Sequence, residues 1–211
     1  MPWLLKYYIL LIAVGALPVL LNAQVQPRDT RPTDGLSKWD KMFPQIKVGD
    51  KVFKTGSNWF TAGVGYGYAT NLRKQQTNFA LGYHHRYHAM YFNLGYHYSS
   101  DQFFLKRPMV RLNDVHLGAG LRIEKIHFNF AFFIGPTWSF GSLYNYTDPY
   151  GTVYYTYFHT LGAHTELQFT WKFFYDLGIG TSLYGSFNKQ YQVVGVQLHF
   201  YFSSAFKPPR K

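Results

Sequence analysis

The chain of 211 residues has no cysteine, which excludes disulfides, thiolate metal sites and a lipidated N-terminal cysteine. Acidic residues are scarce, with 10 Asp+Glu against 21 Lys+Arg and a formal charge of +11. Such an excess suits a polyanion, either nucleic acid or the phosphates of a lipid surface. Its distribution argues against nucleic acid. The basic residues gather in the flanks (Arg28, Arg31, Lys38, Lys41, Lys47, Lys51, Lys54, then Lys207, Arg210, Lys211) and in candidate loops (Arg73, Lys74, Lys106, Arg107, Arg111), not along one patch. Long apolar runs are also missing. The stretch from Tyr7 to Leu21 is broken by Pro18 and falls short of the roughly 20 residues that a transmembrane helix needs. With Lys6 before it and the small Ala23 after it, it reads as a secretory signal peptide over residues 1–23, and the mature chain is expected to start at Gln24.

Aromatic side chains, in contrast, make up 21% of the chain, yet its mean hydropathy is only -0.20. Alternation reconciles the two, because a strand with one greasy and one polar face averages to neither. Residues 59–70, WFTAGVGYGYAT, give the pattern: Gly63, Gly65 and Gly67 alternate with Val64, Tyr66 and Tyr68. Similar period-two segments are expected near 58–69, 77–86, 89–99, 113–124, 126–138, 159–170, 173–184 and 191–202. The gaps between them alternate between tight and long. Residues 24–57 are polar and carry Pro27, Pro32 and Pro44, so a mobile lead-in is expected there, with a short amphipathic turn around Leu36, Trp39, Met42 and Phe43.

One face of these segments carries residues such as Val64, Leu94, Leu117, Phe130, Leu177 and Val196. The other carries polar residues, among them Thr61, Asn78, Asn93, His97, His116 and Asn129, and a glycine on every segment, as at Gly82, Gly95 and Gly135. A soluble ligand barrel would put the greasy face inside, whereas a narrow membrane barrel puts it in lipid and uses the glycines to make room within. The sequence therefore predicts an all-β fold, an eight-stranded antiparallel up-and-down transmembrane β-barrel over residues 58–202. A signal peptide and a polar periplasmic lead-in (24–57) precede it, and a tail (203–211) follows. Trp59, Trp138, Trp171, Tyr68, Tyr98, Phe173 and Tyr175 near the strand ends are expected to form the two aromatic girdles.

Over residues 58–202 the chain resembles the small eight-stranded outer-membrane barrels of Gram-negative bacteria, the outer-membrane-protein A and X type, and particularly their Bacteroidota versions with aromatic, glycine-alternating strands. The resemblance implies a cell outer-membrane location with periplasmic termini and contact with outer-membrane lipid and lipopolysaccharide. The chain departs from that type at its end, where Phe200 and Phe202 are followed by SSAFKPPRK.

Inside the barrel the sequence points to a polar network of Arg122, Glu166, Asp176, His164, His199, Gln197, His84 and His127. Arg122 should pair with Glu166 or Asp176, since an unpaired buried charge is costly. His97 and Ser99, with Asp114 on the next strand, share the His-x-Ser arrangement of lipid A deacylases, but that face points inward, away from a lipid substrate. His84, His85 and His88 lack a third ligand on one face, so no metal or other cofactor is expected. The segment YNYTDPYG is a turn whose tyrosines suit adhesion or a protein contact. The expected function is non-enzymatic: a structural or interaction role in the cell envelope with a plugged lumen, a periplasmic or outer-membrane protein as candidate partner, and no nucleic acid. The alternatives are a small pore or transport component and a lipid A-modifying enzyme.

Overall fold

A computed structural model of the chain describes residues 45–48, 51–54, 56–87, 90–101 and 110–203. All but Gln45 belong to the second of two compact units, Ile46–Lys211. The signal-peptide segment, the turn expected at 36–43, His88 and the tail from residue 204 lie outside the described residues.

Two short strands, β1 (Gln45–Val48) and β2 (Lys51–Lys54), form a two-stranded sheet, and eight further strands close into a ring. These are β3 (Trp59–Ala69), β4 (Lys74–Tyr87), β5 (Met90–Ser100), β6 (Val110–Glu124), β7 (Phe128–Thr147), β8 (Val153–Lys172), β9 (Leu177–Asn188) and β10 (Gln192–Ser203). Each pairs antiparallel with the next in sequence, and β10 closes the barrel on β3 with Gln197 opposite Gly65. With eleven or more residues apiece, every barrel strand is long enough to cross a bilayer. The fold is the transmembrane barrel expected from the sequence.

Alternation sorts the side chains as hydrocarbon outside would require. Val64, Tyr66, Leu94, Leu117, Ile134, Leu161, Leu198 and Phe200 are between 55% and 76% exposed, whereas Asn93, Ser99, Asp114, Asn129 and Gln168 on the inner face are fully buried. The inner glycines leave space that specific neighbours fill. A Cβ on Gly95 would run into the His116 imidazole, and one on Gly135 would strike the backbone of Leu117 and Gly118.

Several expectations are corrected. The lead-in, expected to be mobile, carries strand at 45–48 and 51–54, consistent with the alternation of Gln45-Ile46-Lys47-Val48 and Lys51-Val52-Phe53-Lys54. The 139–158 stretch is largely strand. β7 and β8 pair out to Thr147 and Val153, well past the last β9 partner, Asn188 opposite Gly162. The hairpin holds because its tyrosines stack across the strands, Tyr146 on Tyr154 at 4.7 Å, and because Asp148 Oδ1 accepts the N–H groups of Tyr150 and Thr152 in the turn. Trp59 and Tyr175 are not girdle residues: both are buried, and Trp59 is in phase with the inward Thr61 and Gly63. The difference between the rims is also smaller than expected, because β4 starts at Lys74 and leaves only residues 70–73 as a turn.

Two substitutions test this arrangement. Leu198→Arg, facing outward, should cost about 2–4 kcal/mol in lipid vesicles if it lies near the midplane. Gly95→Val should cost about 1–3 kcal/mol through overpacking against His116. Both are read from urea unfolding of the vesicle-inserted barrel.

Candidate functional site

The bore is filled in layers. At the end where the barrel strands begin and end, Glu124 accepts from two cations: Arg122 Nη2 and Lys172 Nζ each lie 3.0 Å from its Oε1. Its other oxygen accepts the Gly56 N–H at 2.7 Å. The remaining Arg122 donors reach Ser57 O at 2.7 Å, the Tyr201 hydroxyl at 2.6 Å and Asn129 Oδ1. Its guanidinium lies 4.1 Å from the Trp59 ring centroid, and Tyr91, Phe133 and Tyr201 complete an aromatic wall. Below them Lys172 sits over Tyr175, which packs on Phe53 of β2. The segment before β3 thus closes this end of the barrel.

The next layer is polar and hydrogen-bonded. His84 is stacked on Trp59 at 4.3 Å, and its Nε2 lies 3.1 Å from Asn93 Nδ2 and 3.0 Å from Gln168 Nε2. Glu166 accepts from Asn93, Gln168 and Gln197 at 3.2, 3.0 and 3.4 Å. His199 bridges Ser182 and Thr170. Farther along lie His97, His116, His164 and Asp114, and then an apolar lid of Ala69, Val110, Leu112, Tyr184, Tyr191 and Val193.

Of the eight residues expected in the network, the structure brings Arg122, Glu166, His164, His199, Gln197 and His84 into the bore, all buried. His127 and Asp176 are not there. Their strands begin at Phe128 and Leu177, so His127 is exposed in one turn and Asp176 half-buried in another. The Arg122 pairing is corrected too. Its partner is Glu124, because β6 runs through Glu124 and residues two apart on a strand share a face. The same parity would have found Trp59, Gln168, Lys172 and Tyr201.

His97, Ser99 and Asp114 are not joined into a triad. The Ser99 hydroxyl donates to Gln76 Oε1 at 3.2 Å, neither nitrogen of His97 has a hydrogen-bond partner, and His97 Nδ1 lies 3.9 Å from Asp114 Oδ2. All three side chains are buried inside the barrel, away from the lipid-facing surface.

No protein-family model matches the sequence, and no curated protein does. Solved structures share the fold. Neisserial surface protein A is 8% identical with a TM-score of 0.56, the match covering 69% of this chain and 96% of that one. Ail, the attachment invasion locus protein of Yersinia pestis, is 11% identical with a TM-score of 0.51, covering 70% and 97%. Both are small eight-stranded outer-membrane barrels, and at such identities the likeness is one of fold.

The charged layer makes a test possible. Glu124→Gln leaves two buried cations without their carboxylate and should cost about 3–5 kcal/mol, whereas Asp176→Asn should stay within about 0.5 kcal/mol. Denaturant midpoints of the two variants in the same detergent discriminate them.

Proposed function

We propose that the chain is a non-enzymatic outer-membrane β-barrel of the cell envelope, of the outer-membrane-protein A and X type in its Bacteroidota form, and that its work is interaction at the cell surface. In this reading residues 1–23 direct export, 24–57 and 203–211 lie in the periplasm, and the 58–202 barrel meets outer-membrane lipid and lipopolysaccharide. The bore is a structural plug, with Arg122, Glu166, His164, His199, Gln197 and His84 filling it and holding strand register. The observation that carries the proposal is the pairing of a sealed interior with a projecting hairpin. Along residues 153–161, β8 has no β9 partner among the described residues, and Tyr150 and Tyr157 are 94% and 80% exposed. An aromatic ribbon with an open strand edge is suited to binding a protein partner by strand addition. The two similar structures, a surface protein and an attachment invasion protein, agree with such a role.

The plug argues against the pore alternative, and the unassembled His97/Ser99 pair against a lipid A-modifying enzyme. In planar bilayers the purified barrel should give no steady openings; regular unitary conductance would refute the sealed bore. Chymotrypsin added to intact cells should cut at the 148–152 turn and leave the termini untouched, and the reverse pattern would invert the assigned orientation.

A further inference from the structure

Between the charged layer and the apolar lid, the bore holds a cavity of about 10 Å³, room for about one water-sized occupant. Its wall includes His97, His116, His164 and Glu166. One ligand atom from each of His116, His164 and Glu166 lies within 4.8 Å of the others. The His97 ring centroid is 6.3 Å from that of His164. These four side chains are between 1% and 6% exposed. Both ring nitrogens of His97 and of His116, and Nδ1 of His164, have no hydrogen-bond partner. Buried polar atoms are normally satisfied, so several unsatisfied imidazole nitrogens around one small cavity call for an occupant, to which each neutral ring can offer one lone pair.

The charge pattern specifies the occupant further. Arg122 and Lys172, the cationic side chains buried in the bore among the described residues, both bind Glu124. Glu166 accepts from the amides of Asn93, Gln168 and Gln197 and lies beside the Ser182 hydroxyl, and among the described residues no ion pair joins it to a cation. Imidazoles with one carboxylate and no thiolate form a borderline-soft set, suited to Zn²⁺ and unsuited to Mg²⁺ or Ca²⁺, which prefer oxygen throughout. The three amides would act as the outer shell that orients a ligating carboxylate.

We propose that this cavity is a closed structural metal site that takes one Zn²⁺ through His97, His116, His164 and Glu166. Four protein ligands and no open position make it a site that locks β5, β6 and β8 together across the bore. Binding requires local rotation. The His116 and His164 rings are stacked at 3.8 Å and must turn edge-on, bringing ligand atoms that now lie within 4.8 Å of one another to roughly 3.4 Å apart, as tetrahedral zinc requires.

The test uses the full barrel without a polyhistidine tag, refolded from urea into detergent with either one equivalent of Zn²⁺ or EDTA, because the four ligand side chains are buried once the barrel has folded. Elemental analysis after gel filtration should find one zinc per chain. Tm should rise by about 5–10 °C over the EDTA sample at free Zn²⁺ a hundred times Kd. His116→Gln and Glu166→Gln should each weaken retention by more than about tenfold, whereas His85→Gln, on the exposed exterior, should not change it. Folding of each variant is read separately from its heat-dependent gel migration. A wild-type barrel that refolds with zinc but retains none, or has the same Tm in zinc and in EDTA, overturns the proposal. So does zinc that survives His116→Gln but is lost with His85→Gln. The wild-type measurements decide the matter even if a variant does not fold.

Discussion

Excluded volume inside a closed ring of eight strands governs this molecule. Such a ring encloses a bore about as wide as the side chains that fill it, so each large inward residue must be matched by an inward residue with almost none. The His116 imidazole occupies the space a Cβ on Gly95 would need, and at Gly135 the neighbouring backbone itself comes too close for one. Bulk then becomes available for three consecutive tasks along the bore: an aromatic and ionic seal, a hydrogen-bonded middle and an apolar lid.

Electrostatics refines what volume permits. Withdrawing Arg122 and Lys172 from water is tolerable only because one carboxylate faces both, the aromatic faces of Trp59 and Tyr175 lie against them, and backbone groups of Gly56 and Ser57 take up the remaining valences. The seal therefore draws on chain that precedes the barrel, through Phe53, Gly56 and Ser57. Beyond the filled interior, the long β7–β8 hairpin extends past its last β9 partner, and its cross-strand tyrosines keep it paired there.

Much of this was legible as parity. Residues in phase with Gly63 face inward and residues in phase with Val64 face lipid, a rule that holds through all eight strands and orients Glu166 and His199 correctly. The differences fall at strand ends, where β7 and β9 start two and four residues later than the alternation suggests and leave His127 and Asp176 out of the bore. Aromatic residues follow the same logic. Trp59 and Tyr175 sit near strand ends, as girdle residues do, and their proximity to the end outweighed the phase that turned Trp59 inward.

Sequence alone determined the sidedness of each strand, the number of strands and hence the architecture, because a period of two is a local property that no distant contact can alter. Tertiary structure decided which inward groups meet. Arg122 and Tyr201 are 79 residues apart, and Trp59 and Gln168 are 109 apart. Their meeting depends on the stagger between strands and on the tilt that closes the ring, quantities summed over the whole barrel and encoded in no single segment.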